Sequence, residues 1–182
     1  MRRLVWLVAG ALGGCVVSVQ PVVTVAASSF DASLLGKWAE VGSKDRITVS
    51  RGDANLYEIE YTDGTGKTGQ FEARLGWLGQ RTVLDVQPAP RESSPMPEAA
   101  SFIRGHILYA ITIAPDTIKI ALLDPKALRA AVKSKAVVLS SFDDHDQLVL
   151  TGSTDELRRA LASYIERPGA LDEPSRWRRL RN

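Results

Sequence analysis

The sequence has a single cysteine, Cys15, and only two histidines, His106 and His145. One cysteine cannot form a disulfide within the chain, so the fold must be held together by its core. The chain also lacks paired-cysteine metal motifs, a phosphate-binding loop, a dinucleotide fingerprint and the Gly-x-Ser-x-Gly turn that carries a nucleophilic serine. These absences favour a non-enzymatic protein that needs no cofactor and no metal.

The apolar run at the N-terminus is too short for a permanent membrane helix. Leu4 to Val19 contains 16 residues without a charge, whereas a spanning helix needs about 20. The run follows Arg2 and Arg3 and ends at Gln20-Pro21. A basic start followed by a short apolar stretch is typical of a signal peptide, so we expect the protein to be exported.

Two cleavage sites fit this signal peptide. Leu12-Gly13-Gly14-Cys15 resembles the lipobox of bacterial lipoproteins, in which small residues admit the peptidase and the cysteine thiol is the nucleophile that takes up a diacylglycerol. Alternatively, the small residues of Val25-Ala26-Ala27 suit ordinary signal peptidase, which would leave Ser28 first and Cys15 discarded. The first site implies a lipid-anchored protein, and the second implies a periplasmic or secreted one.

The lipoprotein resemblance implies a location in the cell envelope, with the membrane reached through lipid on Cys15. Because Val16 rather than an aspartate follows the cysteine, it implies the outer membrane if the host has two membranes. Removal of residues 1–14 takes away Arg2 and Arg3, so 23 basic residues become 21, against 21 acidic residues. A neutral mature domain offers no general attraction for nucleic acid, and we expect none to bind.

Most of the mature chain alternates apolar and polar residues with a period of two, which predicts antiparallel strands. Asp63–Lys67 (DGTGK) is a strong hairpin turn. Helices are expected near 125–133, capped by Asp124, and over 154–166, where Leu157 and Leu161 belong to an apolar stripe. A late pair of strands is expected, one before and one after residues 143–146. The proline-rich stretch 87–101 is expected to be a loop.

The segment Gly36-Lys37-Trp38 resembles the Gly-x-Trp motif in the first strand of lipocalins and other calycins. The resemblance implies an up-and-down barrel around an apolar pocket, with Trp38 closing its base. The arginine that stacks on this tryptophan in the family is not evident from the sequence. We therefore expect a mainly β domain of about eight strands with two late helices, either a calycin-like barrel or a half-barrel or other antiparallel sheet closed by the helices.

The expected organisation is a signal peptide at 1–14, a lipidated N-terminus and tether at 15–33, a β-rich domain at 34–166 and a basic tail at 167–182. In the tail, four arginines surround Trp177, which either docks on the domain or helps to bind an anionic membrane. Composition and patterning leave the oligomeric state open.

Aromatic residues of the early strands are the candidate ligand-binding residues. They either fill the core or line a pocket for a small apolar ligand: Trp38, Tyr57, Tyr61, Phe71 and Trp77. A partner protein of the envelope is the other expected type of ligand. The rival function is a secreted hydrolase or metal-dependent enzyme that uses His106 or the cluster Asp143, Asp144, His145 and Asp146, although adjacent side chains diverge and favour a solvated turn.

Overall fold

The computed structural model describes residues 15–90, 105–145 and 147–181. Over these residues the chain forms a closed barrel of eight antiparallel strands, a separate three-stranded sheet and two α-helices. The predicted mainly β fold with two late helices is therefore confirmed, and the closed barrel is the alternative that the chain adopts.

The barrel uses seven strands that follow one another in sequence and an eighth from the C-terminus. In the order of the barrel wall, this C-terminal strand lies between the last and the first of the seven and closes the ring. The strands are β2 (Gly36–Glu40), β3 (Arg46–Arg51), β4 (Leu56–Thr62), β5 (Thr68–Leu78), β6 (Arg81–Pro88), β7 (Ile107–Ala114), β8 (Thr117–Leu122) and β11 (Ser175–Arg179).

The predicted hairpin turn connects β4 to β5. The Asp63 carboxylate accepts hydrogen bonds from the backbone N–H groups of Thr65 and Lys67 at 2.8 and 2.9 Å. Gly66 has a φ of 91°, a conformation that glycine adopts without strain. Local side-chain and glycine chemistry thus sets the register of β4 against β5.

The remaining elements form a layer outside the barrel. The strands β1 (Val16–Ser18) and β9 (Ser141–Asp144) flank β10 (Gln147–Leu150), with β1 parallel and β9 antiparallel to it. The helices are α1 (Pro125–Lys133) and α2 (Thr154–Tyr164). The late strand pair is present, but β9 includes Asp143 and Asp144, which were expected in the turn, and α2 ends two residues earlier than expected.

Two hydrophobic cores lie on opposite sides of the barrel wall. The largest fully buried side chains of the inner core are Trp38, Tyr57 and Trp177, each at most 1% exposed. The outer core packs the outward faces of the barrel strands against the outer layer, and the predicted stripe residues Leu157 and Leu161 lie in it, 0% and 1% exposed. The stripe on α2 therefore binds the helix to the barrel.

Both ends of the described chain are more ordered than the sequence suggested. Residues 15–33, expected as a tether, contain β1 and two 3₁₀ turns, and bury Val22 and Val23 at 1% exposure each. Residues 167–182, expected as a basic tail, contribute β11 to the barrel, with Trp177 docked inside. The apolar side chains of both segments complete a core that the central residues leave open.

Of the predicted proline-rich loop, Gln87 and Pro88 end β6, and residues 91–104 lie outside the described residues. In the described ranges, neither α1 nor α2 has the length and apolar character required to cross a membrane.

Candidate functional site

The N-terminal segment is held on the barrel by a buried carboxylate. Asp85 in β6 is 4% exposed, and its Oδ2 accepts hydrogen bonds from the backbone N–H groups of Val22 and Val23 at 2.6 and 2.9 Å. Its Oδ1 lies 2.8 Å from Nδ1 of His106. A buried carboxylate is stable only when such partners replace water, so the segment and the carboxylate depend on each other.

The second helix holds the same segment from the other side. The Thr154 hydroxyl donates to the carbonyl of Pro21 at 2.8 Å, and the Arg158 guanidinium donates to the carbonyl of Val22 at 2.8 Å. The backbone of this short stretch therefore makes hydrogen bonds in both directions. It is fixed between the barrel and α2.

Cys15 lies at the start of this ordered segment and is partly exposed. Its carbonyl accepts a hydrogen bond from the N–H of Leu148 in β10 at 3.1 Å. Burial raises the pKa of the Cys15 thiol, and the negative charge of Asp172 raises it further. Since the reactive form is the thiolate, this environment does not suit a catalytic cysteine.

Arg179, in β11, stacks on the ring of Trp38, in β2. Its guanidinium carbon lies 4.1 Å from the centre of the Trp38 ring. The same guanidinium donates to the carbonyls of Pro115, Leu35 and Ser33, and the Trp38 indole N–H donates to the carbonyl of Leu34 at 3.0 Å. This cation–π pair and these hydrogen bonds join β11 to β2 and to the segment that precedes β2.

Four of the five predicted ligand-binding aromatics belong to the barrel interior. Trp38, Tyr57 and Tyr61 are at most 5% exposed, and Phe71 packs against them, partly buried. Tyr57 also stacks on Phe30, with ring centres 5.1 Å apart. These side chains fill space that an apolar ligand would occupy in a hollow barrel.

The fifth aromatic, Trp77, lies elsewhere and is 59% exposed. It contributes to a cleft of about 760 Å³ at the place where two barrel strands separate. The pairing of β6 with β7 ends at Val83 and Ala110, although β7 continues to Ala114. The apolar part of the lining comprises Leu75, Trp77, Ala110, Ile111, Ile113, Ala121, Leu171 and Pro174.

Charged groups border this cleft. Arg81 and Glu166 form an ion pair at 3.2 Å, with the side chains 45% and 38% exposed. Asp172 is also in the lining, and its pKa is raised by burial and by the neighbouring Asp124 carboxylate. The cleft therefore combines an apolar part with an equally large set of polar and charged residues, and ligand sites use such polar groups to orient the ligand: Ser29, Asp31, Gln80, Arg81, Thr82, Thr112, Glu166 and Asp172.

A pair of buried carboxylates lies at the turn between β2 and β3. Glu40 and Asp45 are 7% and 6% exposed. Asp45 accepts a hydrogen bond from the Tyr61 hydroxyl at 2.7 Å, while Oε2 of Glu40 is buried without a hydrogen-bond partner. Burial raises the pKa of Glu40, and the charge of Asp45 raises it further, against a hydrogen bond from Ser43 that lowers it. Glu40 thus resists ionisation.

The residues of the rival enzyme hypothesis are held in separate pairs. His106 contacts Asp85, whereas His145, in the turn after β9, has its Nδ1 2.8 Å from a carboxylate oxygen of Asp144. Asp143 pairs with Arg129 at 2.6 Å, and Asp146 lies outside the described residues. Across the parts of the chain that the structure describes, no group of three or more His, Cys, Asp or Glu side chains has the arrangement of a metal site.

Replacing Arg179 tests how much its contacts with Trp38 and with the backbone carbonyls stabilise the barrel. An Arg179→Lys variant keeps the positive charge but loses the planar fork that stacks on Trp38 and reaches three carbonyls. We expect the free energy of unfolding, measured by urea denaturation, to fall by about 1–3 kcal/mol. Arg181→Lys is the matched control, because the Arg181 side chain is 86% exposed. Equal stability of the two variants would contradict this stabilising role of Arg179.

The raised pKa of Glu40 predicts a stability that depends on pH. The folded protein holds the Glu40 proton more tightly than the unfolded chain, so this residue makes stability fall as pH rises above the unfolded value of about 4.5. Glu40→Gln removes the ionisable group. We expect the stability of this variant relative to wild type to increase from pH 4 to pH 8 in urea denaturation. Glu58→Gln, at an exposed position of β4, should not show this trend, and a flat difference for Glu40→Gln would contradict the assignment.

Comparisons of the chain with models of known protein families, with curated proteins and with solved structures give no match.

Proposed function

We propose that this chain is an envelope lipoprotein anchored to the membrane by lipid on Cys15. The observation that carries the proposal is the folded state of residues 16–27. Val16, Val22 and Val23 are buried at 6%, 1% and 1% exposure, and Val16 begins β1. These residues belong to the domain, which favours the processing site that spares them.

Cleavage after Ala27, the alternative, would damage the domain in two ways. It would remove three buried valines, each worth roughly 1.5–3 kcal/mol of burial, from a domain whose total stability is typically about 5–15 kcal/mol. It would also strip two N–H donors from the buried Asp85 carboxylate, and a buried charge that loses its partners destabilises a protein by about 3–5 kcal/mol. The site before Cys15 avoids both losses.

The contacts of Trp38 support a calycin-like assignment for the barrel. The Gly36-Lys37-Trp38 motif lies in the first barrel strand, and Arg179 of the last barrel strand stacks on the tryptophan. The position of both partners agrees with what the lipocalin resemblance implies. The insertion of α1, β9, β10 and α2 between the seventh and eighth barrel strands distinguishes this chain from a simple up-and-down series.

For the domain itself, we infer binding of a small apolar molecule in the cleft beside Trp77, rather than inside the barrel. The barrel interior is occupied by Trp38, Tyr57 and Trp177, while the cleft offers an exposed indole and a volume of about 760 Å³. This volume lies within the range of roughly 300–1,000 Å³ that ligand sites usually have. Binding at this cleft also leaves the barrel core intact.

The mass of the mature protein tests the anchor. Protein extracted from membranes should begin at Cys15 and carry a diacylglycerol on its sulfur, and Cys15→Ser should abolish this modification. Val25→Arg is the control, because it blocks the alternative site after Ala27 at a position that is 57% exposed in the fold. We expect Val25→Arg to leave processing unchanged. A mature protein that begins at Ser28 would contradict the proposal.

Binding of N-phenyl-1-naphthylamine, a neutral apolar dye that fluoresces when bound, tests the cleft. Trp77→Ala should weaken dye binding by about tenfold, because loss of an aromatic contact of roughly 1.4 kcal/mol corresponds to that factor. Trp77→Phe should retain most of the affinity. Val41→Ala is the control for exposed apolar residues in general, since Val41 is 49% exposed. Equal affinity of the Trp77→Ala variant and wild type would contradict the assignment of the cleft.

A further inference from the structure

The three-stranded sheet of β1, β10 and β9 has one buried face and one outward face. Val16, Leu148 and Leu150 point into the outer core, at most 6% exposed. Since successive side chains of a strand point to opposite faces, their neighbours point outward. The register places Val17 beside Val149 and Val149 beside Phe142. Three apolar side chains therefore cross the outward face in one row, which we call the apolar row.

The apolar row is incompletely covered by the rest of the described chain. Phe142 is 53% exposed, and Val17 and Val149 are partly exposed. The next row of the same face is polar, because Gln147 pairs with Asp144, the last residue of β9, whose carboxylate contacts His145. The row presents the Phe142 ring and part of Val149 to the surroundings, while the Val17 side chain packs against Gly105.

Cys15 lies next to the apolar row. Val16 is already paired with Leu148 in the sheet, and the Cys15 carbonyl accepts the Leu148 N–H. Because a strand rises about 3.3 Å per residue and neighbouring strands lie about 4.8 Å apart, Cys15 is about 7 Å from Val17 along β1, and Phe142 is about 10 Å from Val17 across the sheet. No flexible linker separates Cys15, the proposed site of the lipid, from this face.

We propose that the outward face of the three-stranded sheet rests on the bilayer, with Phe142 inserted at the level of the lipid headgroups. The proposal rests on lipidation of Cys15. A diacylglycerol on this residue holds its glycerol in the interface and so keeps the adjoining outward face of the sheet close to the membrane. The transfer of apolar side chains from water to that depth is favourable, as it is for the apolar face of an interfacial helix.

The opposite wall of the barrel does not suit the same position. β3 lies four strands from β7 in the ring of eight, and β7 is the barrel strand that β1 contacts through Ser18 and His106. The outward residues of β3 and β4 pair Thr48 with Glu60 and Ser50 with Glu58. Glutamates pressed against lipid would lose hydration, so this wall should face the aqueous compartment.

A single labelled cysteine tests the orientation, because lipidation consumes the only native thiol of the mature chain. Phe142→Cys and, as a second variant, Val149→Cys report on the apolar row. Ser50→Cys is the matched control, an exposed position on the opposite wall. Each full-length lipidated protein is labelled with a nitrobenzoxadiazole (NBD) fluorophore and reconstituted in vesicles of phosphatidylethanolamine and phosphatidylglycerol that contain a spin-labelled quencher lipid.

We expect a strong loss of emission by the quencher lipid at positions 142 and 149, and little loss at position 50. Equal quenching at all three positions, or stronger quenching at position 50, would overturn the orientation. Intact mass of the same samples separates the two proposals: if diacylglycerol is present and the row is not quenched, the orientation is wrong and the anchor stands. If Cys15 carries no lipid, the anchor is wrong and the orientation falls with it.

Discussion

The outer layer of this protein depends on the buried carboxylate of Asp85. A charge that is 4% exposed must be compensated by the protein itself, and the partners come from two distant parts of the chain, the Val22 and Val23 amides and the His106 ring. Once these amides are fixed, the direction of the residues that precede them is set as well. They run beside β10 as a parallel strand. The three-stranded sheet and the docking of α2 therefore assemble around a segment that Asp85 positions.

The barrel interior and the surfaces around it have different properties. The barrel is closed by the two ends of the domain, because β11 pairs with β2 and Arg179 stacks on Trp38. Its interior is packed with large side chains and serves as a rigid support. Exposed features suited to recognition lie outside this packed interior: the cleft beside Trp77 and the apolar row with Phe142. The two proposed binding surfaces therefore lie outside the filled barrel.

Local patterns in the sequence predicted the elements well, and contacts distant in sequence explain what was missed. Alternation within β4 and β5 and the capping of both helices are properties of neighbouring residues, so they could be predicted. The pairing of Trp38 with Arg179 joins residues at opposite ends of the domain, and four arginines near Trp177 gave no local reason to choose one. Ser175–Arg179 has one apolar residue, Trp177, so the tail carried no alternation from which β11 could be predicted.

Trp77 illustrates the limit of alternation. The pattern assigned it to the same face as Phe71 and Leu75, which is correct for an isolated strand. However, the pairing of β5 with β4 ends at Arg74, and beyond this point the edge of β5 is covered by Ser29, whose N–H donates to the Leu75 carbonyl at 2.8 Å. At Trp77 the strand still pairs with β6, through Thr82, but no longer with β4, so the indole faces a cleft instead of the core.

The apolar character of residues 16–27 acquires a physical meaning from the fold. As a tether, the 19 residues from 15 to 33 would let the domain range about 25 Å from its anchor, by the dimensions of a flexible chain. Folded into β1 and the Asp85 contacts, the same residues allow almost no range. A lipid on Cys15 would then fix the orientation of the domain as well as its location. Whatever enters the cleft beside Trp77 would have to approach along the membrane surface or from the compartment that the opposite wall faces.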